Sequence, residues 1–176
     1  MQPDTDLNHN EHPSGKMNVH HNIRNVEDVV RRYTDMVVRI AFNNVRNIDD
    51  AEDIAQNVFI KFMHAKGFES GEHIKAWLIR VTVNMCKNHL SLFHNIKNEP
   101  LHDNIEYISA KQQELLDDLW KLPANYRNSL YLYYYEGYTI PEIAGLLGKS
   151  VSTVSTWLIR ARKKLKLILI QGGYER

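Results

Sequence analysis

Cysteine is nearly absent from this chain: one residue, Cys86, stands in 176. A lone thiol excludes an internal disulfide and gives no paired spacing for a structural metal, and it fits a reducing compartment. Long apolar runs are missing as well. No stretch reaches the roughly 18 to 20 residues that a membrane span needs, and the first residues lack the apolar core of a secretory signal. The expectation is a water-soluble protein without membrane insertion, cytoplasmic by default. A global charge excess is also lacking, with a formal net charge of +1 at pH 7. No nucleophile and base pair, glycine-rich phosphate loop or metal-ligand spacing is present, so no catalytic residue, metal or cofactor is expected.

What is present is ordinary material for a folded protein. The hydrophobic share of 43% and the charged share of 24% allow a core and argue against global disorder. The length fits one globular domain or two small helical ones. Charge is distributed unevenly, and that matters more than its sum. Between Thr139 and Lys166 the cations Lys149, Arg160, Arg162, Lys163, Lys164 and Lys166 face one acid, Glu142, a local charge of +5. Asp49 to Asp53 (DDAED) is acidic. Two places on one chain thus call for partners of opposite charge.

Residues 1–22 are rich in Asn, His and Asp and poor in apolar residues, which predicts a mobile tail; Met17 is a second candidate start beside Met1. Its His9, His12, His20 and His21 have neither Cys partners nor helical spacing, so a solvated tail is the better reading than a metal site. His64, His73, His89, His94 and His102 read as surface or loop residues. From Val26, apolar residues recur in steps of three and four through Ala41, the mark of an amphipathic helix. After a polar turn around Asn47, Asp50 is the expected N-cap of a second helix carrying Ile54, Ala55, Val58, Phe59 and Phe62. Lys66 to Glu72 (KGFESGE) reads as a loop, and a third helix is expected from near Ile74 toward Leu90. The polar stretch around Pro100 has the profile of a flexible linker. The reading is therefore all-α, with two small helical domains: a first bundle at 23–92, a linker at 93–112, and a second domain at 113–170. In the latter, Leu115, Leu116, Leu119 and Leu122 resume the apolar spacing, and Tyr126 to Tyr135 forms an aromatic-rich helix after Pro123.

The segment from Glu136 to Lys166 (EGYTIPEIAGLLGKSVSTVSTWLIRARKKLK) predicts two helices joined by a tight turn. Thr139 and Glu142 have capping-box spacing, Pro141 suits a first turn, Gly148 suits a left-handed C-cap, and Ser150 can cap the next helix. Ile143, Ala144 and Leu147 are expected inward on the first helix, and Val151, Val154, Leu158 and Leu165 on the second. This is a helix-turn-helix, in which the second helix enters the major groove while later basic residues approach phosphates. Ser152, Thr153, Ser155 and Thr156 are short groups suited to base edges, and Arg160, Arg162, Lys163 and Lys164 supply charge. A plain helical hairpin with a solvated basic end explains the charge but not the agreement of cap, small Ala144 and glycine turn.

With these motifs in hand, the chain resembles the extracytoplasmic-function group of bacterial sigma factors over nearly all of Val26 to Lys166. DAEDIAQNVFIKFM (Asp50 to Met63) is similar to the acidic-Gln-Phe signature of sigma region two. AWLIRVTVNMCKNHL (Ala76 to Leu90) looks like the helix that captures the minus-ten element, and LPANYRNSLYLYYYEGYT with the helix-turn-helix looks like region four. The resemblance implies a sigma factor that joins core RNA polymerase, recognises the −35 and −10 elements and assists DNA opening, often under an anti-sigma factor. It implies polymerase contact near Asp50, Glu52, Asp53, Gln56 and Phe59, and −10 contact by Phe68, Lys75, Asn84, Lys87 and Asn88. Acids at 49–53 also complement a helix N-terminus, and Phe59, Phe68 and Trp77 also suit a core. The chain departs from the family at Asn57, where Glu is frequent, at Ser155 and Trp157, where basic residues are frequent, and after Leu90, where an Arg-rich end is missing. The alternative reading is a stand-alone helix-turn-helix regulator with an N-terminal dimerisation or sensing bundle.

Overall fold

The computed structural model describes residues 25–93 and 117–171, and among these no strand is present. The tail, most of the linker, and Leu115 and Leu116 lie outside the described residues.

Helix α1 (Val26–Val45) begins on Asn25, whose side chain accepts from the Glu27 amide at 3.2 Å. It buries Val29, Tyr33, Met36, Val37, Ile40 and Ala41, the stripe that the spacing predicts. It ends at Arg46, a non-glycine residue in the left-handed region (φ 64°), a conformation that costs an L-residue on the order of 1–2 kcal/mol. Helix α2 (Ile48–His64) starts earlier than expected. Its N-cap is Asn47, which accepts from the Asp50 amide at 2.8 Å, so Asp50 sits in the first turn and is not the cap. Asparagine is the better cap because its oxygen reaches that amide while Asp49 and Asp50 meet the positive end of the helix. Helix α3 (Gly71–Phe93) also begins early, capped by Ser70, which accepts from the His73 amide at 3.1 Å. Ile74, Leu78, Ile79, Thr82, Val83 and Cys86 of α3 are buried between α1 and α2.

In the C-terminal domain the described residues are helical at 117–120, followed by α4 (Ala124–Tyr134), α5 (Ile140–Leu147) and α6 (Val151–Gln171). Glycine at 148 takes the left-handed C-cap (φ 62°), and its amide donates to the Ala144 carbonyl. Two expectations shift here. Leu146 is buried and Leu147 only half-buried; Val151 is 50% exposed, whereas Ala161 and Ile168 join Val154 and Leu158 inside. Val151 is the first residue of α6, before the helix axis has come under α4, so its side is still open. The burial pattern moves toward the later turns, where α4 lies alongside.

A polar seam joins the two domains. The side-chain amides of Asn44 and Asn128 exchange two hydrogen bonds, at 2.9 and 3.0 Å, and both residues are buried. Arg127 donates to the carbonyls of Asn43 (2.8 Å) and Leu122, and Arg46 to the carbonyl of Trp120. Burial, with Arg46 close by, lowers the Arg127 pKa to about 10. Lys75 pairs with Glu136 at 3.0 Å and lies over the Tyr138 ring.

Candidate nucleic-acid interface

Helix α6 is positioned by a cap that uses its own hydroxyls. Ser150 Oγ accepts from the Thr153 amide at 3.1 Å and shares hydrogen bonds with Ser152 Oγ (3.0 Å) and Thr153 Oγ1 (2.7 Å). Thr156 Oγ1 donates back to the Ser152 carbonyl at 2.8 Å. At the preceding turn, Glu142 Oε2 accepts from both the amide (2.8 Å) and the hydroxyl (2.6 Å) of Thr139, which holds its carboxyl below the usual range. Both helices of the helix-turn-helix are thereby capped at their starts, and α6 presents an outward face with Ser152, Thr156, Arg160, Lys163 and Lys164 exposed. A shallow notch of about 230 Å³ lies among Ser152, Thr153, Thr156, Trp157 and Arg160. Ser155 and Thr153 are half-buried on the flanks. Arg162 leaves the group: its guanidinium lies 5.5 Å from the Tyr133 ring centroid and 5.6 Å from that of Tyr134, toward α4. One residue of the face was not anticipated. Ile159 is 61% exposed between Thr156 and Lys163, three residues after one and four before the other, and that spacing was the available signal.

On α3, Asn84, Lys87 and Asn88 are exposed along one side. Arg80, four residues before Asn84 and exposed, extends that row, a residue that the one-turn spacing could have added. Trp77 is half-buried seven residues before Asn84, and Phe68 packs against it (5.6 Å), Phe62 (5.2 Å) and His73 (5.7 Å). Phe68 thus anchors its loop to the bundle with part of the ring open. Lys75 does not join the row. It stands nine residues, two and a half turns, before Asn84, so it points to the opposite side of α3 and meets Glu136.

On α2, Glu52, Asp53 and Gln56 are exposed along one side, while Asp50 is half-buried and receives the His89 imidazole at 3.2 Å. Phe59 turns inward and is 8% exposed. The outward side continues with two apolar residues that the acidic motif did not suggest, Ile60 (52% exposed) and Met63 (61%). They follow Gln56 by four and seven residues, and only the surface exposure separates them from core positions. Cys86 is fully buried and its thiol is pushed up to about 12, which removes it from any reactive role. No cluster of His, Cys, Asp and Glu able to hold a metal occurs among the described residues, and no described helix is long and apolar enough to cross a membrane.

The α2 and α3 faces fall within the family model Sigma-70 region 2, over residues 29–91, and the α6 face within Sigma-70 region 4, over residues 112–165. The chain is similar to the RNA polymerase sigma factor YlaC of Bacillus subtilis, 31% identical over 80% of this chain and 90% of that protein. It is also similar to the ECF sigma factor SigE of Mycolicibacterium smegmatis, 27% identical over 85% of this chain and spanning 63% of SigE. Among solved structures it shares its fold with the sigma factor RpoE of Bartonella quintana, determined with the anti-sigma factor NepR. That match has a TM-score of 0.66 at 22% identity and covers 81% of this chain and 95% of RpoE. CnrH, determined with the cytosolic domain of CnrY, matches with a TM-score of 0.60 at 24% identity over 86% of this chain and 92% of CnrH. With both regions present in order and a relative this similar over most of its length, the chain belongs to the sigma-70 family of transcription initiation factors, within its extracytoplasmic-function group.

Proposed function

We propose that this sigma factor divides its work between two units, residues 23–92 and 113–170. The first engages core polymerase through α2 and captures the −10 strand along α3, and the second reads the −35 duplex with α6. The observation that carries this division is the contrast of exposed faces: acids followed by Ile60 and Met63 on α2, cations on α6. An acidic face with an apolar end suits a basic, partly apolar protein surface, whereas a cationic helix after a tight turn suits phosphates. Each phosphate neutralised by Arg160, Lys163 or Lys164 steepens the logarithmic salt dependence of binding by about 0.9. On α3, Asn84 can donate and accept toward an unstacked base, with Lys87, Asn88 and Arg80 beside it. The chain itself performs no chemistry in this reading: it positions DNA, and the polymerase makes RNA in the cytoplasm.

An anti-sigma factor is assigned as a partner on the strength of the complexes in which RpoE and CnrH were solved. A groove of about 840 Å³ bordered by Leu130, Tyr134, Leu165, Leu169 and Ile170 is the apolar surface assigned to it.

The test mixes the purified chain with sigma-free bacterial core polymerase and a genomic promoter library. A stable complex and transcripts from defined start sites are expected. Tight duplex binding by the chain alone, with no polymerase complex, would instead establish the stand-alone regulator. Asn84→Ala is expected to weaken −10 selection and opening while leaving polymerase binding intact.

A further inference from the structure

The first nine residues of α6, Val151 to Ile159, contain no Arg, Lys, Asn, Gln, Asp or Glu. Those are the side chains that make two-pronged hydrogen bonds to guanine or adenine edges, or accept from the cytosine amino group, in the major groove. Hydroxyl groups remain, but the structure occupies most of them. Ser152 and Thr153 are tied to Ser150, and the Thr156 proton goes to the Ser152 carbonyl while the residue stays exposed. Within these nine residues two large apolar side chains stand open, Val151 at 50% and Ile159 at 61% exposure, and Leu167 and Ile170 are exposed two to three turns farther along the helix. Ile159 is flanked directly by Arg160 and one turn later by Lys163, both exposed cations. Cations that approach phosphates on either side of Ile159 would hold it against the major-groove wall, where the apolar group on the base edges is the C5-methyl of thymine.

We infer that Ile159, with the Thr156 methyl beside it, is a specificity-determining residue that recognises thymine methyl groups in the −35 element. Sequence is then read there chiefly by apolar contact, while Arg160 and Lys163 fix the helix on the backbone. The inference rests on the reading of α6 as the −35 helix and deepens it. It also accounts for what stands at positions 155 and 157, where Ser and a half-buried Trp leave the face without a long hydrogen-bonding reader.

The experiment uses the full chain with core polymerase and duplexes whose −35 positions are randomised. Enrichment of thymine at one or more positions is expected. Each enriched thymine is then replaced by deoxyuridine, which removes only the methyl. At one such position binding by the wild-type chain is expected to fall about fourfold, the ratio that one buried methyl gives. Ile159→Ala is expected to bind the thymine and deoxyuridine duplexes equally, whereas Arg160→Ala weakens all sequences alike. Equal binding of both duplexes by the wild type overturns the inference without touching the −35 reading. So does a deoxyuridine penalty that persists unchanged in Ile159→Ala, or an effect of Ile159→Ala confined to polymerase affinity. Absence of any −35 enrichment removes the −35 reading, and this inference with it.

Discussion

Two single residues carry chemistry that solution measurements can read. The Glu142 carboxyl is exposed, yet its hydrogen bonds from Thr139 hold it below its ordinary value of 4.5. A carboxyl depressed in the folded state adds stability that is present above that ordinary value and is lost as pH falls through the folded one. Helix α5 is therefore expected to loosen in acid below about pH 4.5, seen as a shift of the Thr139 amide resonance. In Glu142→Gln that acid step is expected to vanish. Cys86 reports on the other domain. Burial keeps its thiol protonated, with Sγ 4.0 Å from the Ala41 carbonyl. Iodoacetamide at pH 8 is expected to leave the native chain unlabelled and to label it on denaturation. Equal rates in both states would mean that the α1–α3 core is open.

At the scale of the element, α2 separates stability from binding. Leu78 on the facing helix is fully buried, and Leu78→Ala is expected to cost about 2–5 kcal/mol of N-terminal domain stability. Ile60→Ala and Met63→Ala are expected to stay within about 0.5 kcal/mol, since both side chains face solvent. Their effect falls on core polymerase affinity, measured by titration alongside thermal melts; unchanged affinity in the double variant would remove α2 from the contact. Much of each helix was legible beforehand, because apolar residues at steps of three and four can only be buried together on one side. The glycine turn and Thr139 with Glu142 were equally readable, because left-handed backbone and helix ends each demand few residue types. Helix starts were less so: Asn47 and Asp50 are both good caps, and only the geometry chooses. Exposed apolar residues such as Ile60 and Met63 were not legible, since sequence spacing marks a stripe as apolar without saying whether anything covers it. Lys75 stands apart from the α3 row for another reason. Its motif assigned it to DNA, while its turn of the helix faces a carboxylate contributed by Glu136, sixty-one residues away.

For the whole molecule, the seam combines the Phe42–Trp120 ring contact with amide, guanidinium, ammonium and carboxylate groups that water can serve nearly as well. Glu136→Lys sets two ammonium groups against each other at Lys75, and the domains are expected to separate, read as a loss of energy transfer between dyes on α2 and α6. Lys75→Glu in the same chain is expected to restore proximity; no change in either variant would mean that this pair does not hold the domains together. The double exchange of Asn44 and Asn128 has a further meaning. Two elements at −35 and −10 stand about 85 Å apart on straight B-form DNA, whereas a compact chain of this length has a radius of gyration on the order of 15 Å. The clasped molecule is too short to touch both at once. Engaging a promoter and keeping the amide clasp shut are then mutually exclusive, so every ligand that favours the spread form works against the clasp. A chain with a tighter clasp is expected to need more polymerase to start the same gene.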